Sequence, residues 1–411
     1  MSEERFTVTP EILEQKFAGV YGDSENPVRI FASPARINII GEHIDYNGGK
    51  VFPAAIDRYL YVAARIRGDR KIVYNDLFFP GKFEFTVDDE FAYSEKNDYA
   101  NFLNGILSIM KRRGYSFSNG FDVLIASNVP AAGGISSSSA LECGFAWAVS
   151  ELFGFGISRK DIALMGQQSE HEFMNVNCGI MDQYIIATGK KGTAELLDCA
   201  SVESEYVPLN LGGYSFVVMN TKKQRRLADS KYNERRSECE KALGILKAAA
   251  VGLPESAGSM VKNTSELENL CELTPEQFEA CADVLNSDTL FRRVRHCVTE
   301  NARVLRAVRA LREDNLEELG RLLCESHESL KNDYEVTGTE LDTLKNSAMA
   351  QKGCIGARMT GAGFGGCAIA LVRTELTDEF IRNVQAEYTA AIGHEGSFFS
   401  CSSGDGVRTL R

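Results

Sequence analysis

Residues 129–140 read Val-Pro-Ala-Ala-Gly-Gly-Ile-Ser-Ser-Ser-Ser-Ala, between a strand-like run (121–126) and a helix-like run (141–153). These are residue types that can hold an anion. Gly133 and Gly134 let backbone N–H groups converge with no Cβ in the way. Ser136, Ser137, Ser138 and Ser139 add hydroxyl donors beside the Ile135 backbone. A helix starting here adds about half a positive charge and several unpaired N–H groups. Phosphate is the natural occupant, and a Ser-capped helix after a tight turn is the plain alternative. The string Gly-x-x-x-x-Gly-Lys-Ser/Thr is absent, as are His-Arg-Asp and Asp-Phe-Gly. Nucleotide chemistry on this stretch would therefore use neither the P-loop nor the protein-kinase arrangement.

Three further stretches carry chemistry. Gly41-Glu42-His43-Ile44-Asp45-Tyr46-Asn47-Gly48-Gly49 follows an apolar run. Asn47-Gly48 signals a turn, so a polar hairpin tip is one reading. The density of Glu, His, Asp, Tyr and Asn suits a second, a polyol held by many hydrogen bonds. Asp182 lies in the apolar run Ile180-Met181-Asp182-Gln183-Tyr184-Ile185-Ile186. An unpaired charge there is expensive, so the acid must be paired or functional. Gly361-Ala362-Gly363-Phe364-Gly365-Gly366 matches Gly-x-Gly-x-x-Gly letter for letter, but it runs into an apolar strand-like segment at 367–372. A dinucleotide site needs strand, then loop, then helix. The reversed order points instead to close backbone approach to another element.

The rest of the chain must position these groups. A length of 411 residues allows two domains or three. With 44% hydrophobic and 25% charged residues the composition is that of a globular protein. The net charge of −12 disfavours a nucleic-acid partner and an anionic membrane surface. No leader-like apolar segment follows Met1-Ser2-Glu3-Glu4-Arg5, and no run reaches membrane-spanning length, so the expectation is a cytoplasmic protein. Eleven cysteines show no Cys-x-x-Cys pair and five histidines no His-x-x-x-His, so neither disulfides nor a transition-metal site is expected.

Pattern reading places helices at 9–20 (Thr9 as cap, Pro10 first), 99–114, 141–153, 159–174, 226–249 and 378–392. The helix at 226–249 follows a basic cluster, Lys222, Lys223, Arg225 and Arg226, read as a solvated face. Residues 275–334 read as helix-rich. Strands are expected at 60–66, 71–75, 193–198, 214–219, 367–372 and 396–400, and as two runs around a proline break at 28–40. Periodicity fades near 205–213, which places a domain boundary there, giving 1–208 and 209–411. His171 and His327 are expected to be buried and hydrogen-bonded.

The separated motifs line up with a known family. Arg36-Ile37-Asn38-Ile39-Ile40-Gly41-Glu42-His43-Ile44-Asp45-Tyr46-Asn47 resembles the galactokinase signature. Residues 130–140 resemble the phosphate loop of the GHMP kinases, and 361–366 that superfamily's third motif. Cys178-Gly179-Ile180-Met181-Asp182-Gln183 and Ser230-Lys231-Tyr232-Asn233-Glu234-Arg235-Arg236 also resemble galactokinase segments. The resemblance covers nearly the whole chain. It implies a two-domain α/β (α+β) GHMP kinase architecture, with a ribosomal protein S5 domain 2-like N-terminal domain and a ferredoxin-like C-terminal domain. It implies transfer of the ATP γ-phosphoryl group to the anomeric hydroxyl of α-D-galactose, the entry step of the Leloir pathway, by a cytoplasmic monomer.

By resemblance, Asp182 is the general base and Arg36 holds its carboxylate and the transferring phosphoryl group. Glu42, His43, Asp45, Gly179, Asp182 and Tyr232 would bind galactose. Gly133, Gly134, Ile135, Ser136, Ser137, Ser138 and Ser139 would wrap the phosphates of ATP. Ser138 and Glu170 would hold Mg²⁺, and Gly361, Gly363 and Gly365 would support the site. The adenine ring is expected among apolar side chains of the 75–110 region. Three residues depart from the family pattern: Ala35 and Ala132 stand where glycine is usual, and Ile44 where threonine is usual. None is expected to abolish activity. Two other functions fit the same motifs, a kinase for another sugar and a sugar- and ATP-binding sensor without catalysis. Arg36 with Asp182 argues against the sensor, since binding alone needs no base.

Overall fold

The computed structural model describes residues 8–79, 81–129, 134–223 and 228–411, the last segment with side chains from residue 231 onward. Pro80, the loop stretch 130–133 with Ala132 and Gly133, Arg225 and Arg226 of the basic cluster, and the side chain of Ser230 fall outside that description.

The N-terminal part runs α1 (Pro10–Tyr21), β1 (Arg29–Asn38), β2 (Lys50–Val51), β3 (Pro53–Ile66), β4 (Lys71–Asp76), β5 (Phe83–Thr86), α2 (Ala100–Arg112) and β6 (Phe121–Ser127). It continues through α3 (Ser137–Phe153), α4 (Arg159–Glu172), α5 (Met181–Thr188), β7 (Thr193–Asp198) and β8 (Glu203–Pro208). Then come β9 (Tyr214–Asn220), α6 (Ala228–Ala249), α7 (Pro275–Cys281), α8 (Asp288–Arg312), α9 (Leu316–Asn332), α10 (Gly338–Ala350), β10 (Cys354–Thr360), β11 (Cys367–Arg373), α11 (Thr377–Ile392), β12 (Ser397–Cys401) and β13 (Arg408–Thr409).

A six-stranded sheet, β13-β1-β3-β6-β4-β5, organises the first part, with β4 and β6 parallel. One face is covered by α1. Its Thr9 cap and Pro10 start it as the sequence predicts, and Leu13 and Phe17, one turn apart, pack under Ile30, Ala63 and Leu124. Each such buried side chain contributes about 1.5–3 kcal/mol. The opposite face packs against α3, where Gly144 lies against Ser33 and Val62. A second sheet, β10-β11-β9-β12, is wholly antiparallel. Taken in chain order its strands stand 4-1-3-2, with helices between the first and second and between the third and fourth, which is the ferredoxin-like arrangement expected of the C-terminal half.

Several expectations are corrected. Pro34 does not break the chain into two strands: β1 is continuous and absorbs the proline as a register shift against β3 between Pro34 and Arg36, where a missing N–H is tolerated. Residues 203–208 form β8, paired with β7; its pattern was faint because Val207 is its buried residue and its neighbours are exposed or partly so. The apolar run around Asp182 is a helix, α5, and pattern reading also passed over α10, β2, β5, β10 and β13. His171 is half-buried rather than buried, with Nε2 2.7 Å from the Cys178 carbonyl. His327 is buried as expected, between Asp342 and the Met359 N–H. Most cysteines are buried among apolar side chains.

Candidate active site

Arg36 reaches the site from the far side of the β1 irregularity and is 3% exposed. Its Nε donates to Asp182 Oδ1 at 2.8 Å and its Nη2 to Oδ2 at 2.7 Å, a fork on a fork. Its Nη1 donates to the Gly134 carbonyl at 3.1 Å. Asp182 stands in the first turn of α5, where the helix end favours a negative charge. It keeps 28% exposure on the cavity side while Arg36 is sealed behind it. The acid in the apolar run is therefore paired.

Around this pair lies a cavity of about 290 Å³. One wall is the start of α3, with Gly134 and Ser136 to Ser139, facing Glu170 from the last turn of α4. Ser136 has φ 63° and gives its hydroxyl to Asp182 rather than to its own helix. Glu170 is only 7% exposed, so it is no surface acid. Behind it Glu142 of α3 is fully buried, and burial, with the nearby Glu170 charge, pushes its carboxyl well above the usual range. The opposite wall is Glu42, His43, Asp45, Cys178, Gly179 and Tyr232. Ile135 points into the hydrophobic core, and Gly363 and Gly365 stand off the cavity while Gly361 lines it.

Asp45 sits in a short 3-10 turn, Asp45–Asn47. Burial first, then the Asp182 and Glu42 charges, push its carboxyl up to about 7. A Cβ on Gly179 would lie 1.9 Å from Asp45 Oδ2, so glycine makes room for that carboxylate. Glu42 is 1% exposed, accepts from the Gly361 N–H at 2.6 Å and from the Asn38 amide, and has Arg358 Nη2 at 3.6 Å. Burial raises its carboxyl despite those partners. Gly361, at φ 83°, is equally constrained, for its Cβ would lie 2.5 Å from the Gly134 carbonyl. The third glycine motif thus does serve close approach, to the phosphate-type loop.

Supporting residues escaped sequence reasoning. One face of α8 buttresses the signature loop: His296 Nε2 to the Glu42 carbonyl at 3.0 Å, Glu300 accepting from the Gly41 N–H at 3.0 Å, and Asn301 accepting from the Lys50 N–H at 2.9 Å. Arg358 of β10, fully buried, donates to the Asn38 and Ile39 carbonyls. No short motif marks either. Of the family departures, Ala35 is buried at the β1 irregularity without a left-handed backbone, and Ile44 turns into the core, away from the cavity.

This geometry joins a serine-lined helix start, a paired acid and a polar wall in one cleft, and the chain carrying it is similar to known proteins. Residues 15–66 match the galactokinase galactose-binding signature, 101–190 the GHMP kinase N-terminal domain and 307–390 the GHMP kinase C-terminal domain. The galactokinase of Clostridium perfringens is 46% identical over 400 residues, 97% of this chain and 99% of that one.

The chain belongs to the galactokinase family.

Within that family, the Enterococcus faecalis galactokinase is 44% identical over 402 residues, again 97% of this chain and 99% of the relative. The crystal structure of the Lactococcus lactis galactokinase complexed with galactose superposes with a TM-score of 0.91 at 41% identity, over 97% of this chain and 99% of that one. A mevalonate kinase structure, at 19% identity and a TM-score of 0.63, shares the GHMP kinase fold. The two-domain α/β architecture and kinase class expected from the motifs are thereby established.

Proposed function

We propose that this galactokinase-family enzyme phosphorylates α-D-galactose at the C1 hydroxyl, giving galactose 1-phosphate and ADP. The observation that carries the reading is the Arg36–Asp182 fork at the junction of the serine wall and the polar wall of one cavity. Asp182 accepts the C1 hydroxyl proton. The freed oxygen bonds to the γ-phosphorus as the bond to the β–γ bridging oxygen breaks, and ADP leaves. Arg36 keeps the base oriented and offers positive charge to the transferring group. Asp45, Asp182, Tyr232 and the backbone at Gly179 hold the sugar hydroxyls, with Glu42 and His43 shaping the wall beneath them.

The first turn of α3 and Ser136 to Ser139 take the phosphates. Ser138 and Glu170 line the same cavity with oxygen donors that suit Mg²⁺; when bound, the ion neutralises phosphate charge. β4 lies parallel beside β6, so residues 77–79 follow β4 at the end of the sheet where β6 also ends. Phe79 there is 48% exposed, and Tyr93, 54% exposed, packs edge-on to Phe173 just past the helix that carries Glu170. These two are our candidates for stacking on adenine. We divide the domains near residue 208, between β8 and β9. One chain supplies every wall of the cavity, so a monomer suffices. No helix among the described residues is long and apolar enough to cross a membrane, and we place the reaction in the cytoplasm.

The test is coupled ADP release with galactose, glucose, N-acetylgalactosamine and arabinose, run beside Asp182→Asn. Galactose turnover falling by about 10²–10⁴ in the variant supports substrate and base together. Turnover with another sugar alone overturns the substrate, and binding of ATP and galactose without turnover overturns the catalysis.

A further inference from the structure

His43 is a non-glycine residue at φ 63° and is 4% exposed against the cavity. Both its ring nitrogens have partners in the protein. Nε2 lies 3.2 Å from the Ala362 carbonyl, in the third glycine motif, and Nδ1 lies 2.8 Å from the Tyr46 hydroxyl. A carbonyl oxygen can only accept, so Nε2 carries the proton. Burial pushes the His43 imidazole down to about 3, so the ring is neutral and Nδ1 is bare. Tyr46 must therefore donate to Nδ1. Having spent its proton, it can only accept from Tyr334, whose hydroxyl is 3.0 Å away. Tyr334 in turn accepts from the Cys239 thiol at 3.1 Å.

We infer that Tyr46 and Tyr334 are positioning residues for the sugar wall: a one-way chain of donors, Cys239 to Tyr334 to Tyr46 to His43 to the Ala362 carbonyl, fixes the His43 tautomer and ties the signature loop to the third glycine motif. The ring so held is packed on three sides by Tyr46, Tyr334 and Tyr232, the last with its centroid 5.4 Å away. Loss of the Tyr46 donor leaves a buried bare nitrogen. The Nε2–H stays on the Ala362 carbonyl, since Phe offers Nδ1 no acceptor, so the ring keeps its tautomer and loses one of its two tethers. The order of effects follows from the direction of the chain. Tyr46→Phe removes the one donor to Nδ1 among the described residues. Tyr334→Phe leaves Tyr46 its own proton, and removes one support.

The inference rests on the galactose reading for what occupies the cavity, but the tautomer is measurable without any substrate. ¹⁵N-histidine NMR of the full-length enzyme, with the His43 signals assigned by their absence in His43→Asn, should show Nε2 protonated and Nδ1 a bare acceptor. Tyr46→Phe should keep the Nε2–H tautomer but shift the Nδ1 signal toward that of an unbonded nitrogen, and raise KM for galactose about tenfold with kcat and KM for ATP within about threefold. Tyr334→Phe should keep the tautomer and raise the galactose KM by only about twofold. A protonated Nδ1 in the wild type overturns the chain, whatever the sugar. So does an unmoved Nδ1 signal in a folded Tyr46→Phe, or a Tyr334→Phe effect equal to that of Tyr46→Phe. Absence of galactose turnover in the wild type counts against the substrate and leaves the NMR result standing.

Discussion

Ser136 donates its hydroxyl to Oδ2 of Asp182, the oxygen that Arg36 Nη2 also holds. It does so from a left-handed backbone at the head of α3, where a serine would ordinarily turn back to cap its own helix. The serine wall and the Asp182 carboxylate are therefore joined by a side chain.

Ser136 substitutions should separate strain from bonding. Ser136→Ala keeps the left-handed cost and loses the donor; Ser136→Gly loses the donor but relieves about 1 kcal/mol of strain. We expect kcat to fall about tenfold in both, with Ser136→Gly melting higher than Ser136→Ala. Wild-type kcat in Ser136→Ala would remove the hydroxyl from the account of the base.

Gly179→Ala should act on the sugar alone. The added Cβ would meet Asp45 Oδ2 at 1.9 Å and displace that carboxylate. KM for galactose should rise by about tenfold or more, as for loss of a charged hydrogen bond, with KM for ATP little changed. Steady-state kinetics with each substrate varied in turn is the check; an equal rise in both constants would place the damage elsewhere.

Acid should weaken galactose binding through Asp45. Its carboxyl is pushed up to about 7, so it is ionised above that pH and protonated below it. With the ionised form accepting sugar hydroxyls, kcat/KM for galactose should drop about tenfold between pH 8 and pH 6. Asp45→Asn should be weak throughout and lack that limb. A flat wild-type profile across this range would contradict the assignment.

Phe79→Ala and Tyr93→Ala should raise KM for ATP, each by about fivefold to a hundredfold if the ring stacks on the base, and leave KM for galactose near its wild-type value. Competition by adenosine against ATP gives a second readout, expected to weaken in parallel. Unchanged ATP constants in both variants would move the adenine site away from the β4 side of the loop.

The parts of this site legible in the sequence are those where chemistry is local. The four serines at 136–139 mark the helix start that walls the cavity, and Asp182 stands out because its neighbours are apolar. What stayed hidden are contacts between distant segments. Arg358 meets the carbonyls of Asn38 and Ile39 across more than 300 residues of chain. His296, Glu300 and Asn301 look like ordinary polar positions of a charged helix until α8 is laid under the signature loop. Tyr46 reads as part of a turn, and its pairing with Tyr334 spans 288 positions. Periodicity reports which face of an element is buried, and it cannot report what lies against that face. The same limit explains Pro34: a proline predicts a break, but a strand already irregular against its neighbour has room for one.

The pairing of β13 with β1 has a consequence for how the molecule is made. Phe31 and Ala32 find their outer neighbours in Thr409 and Arg408, and Ile30 exchanges backbone hydrogen bonds with residues 410 and 411. Strand β1 therefore waits for nearly four hundred residues of translation before this edge is closed. Until then the nascent protein carries an open strand of the kind that recruits chaperones or misassembles. A chain stalled before residue 408 should be cut near β1 by protease and one stalled well beyond it should not, which would make this short seam a check that β13 has been made and docked.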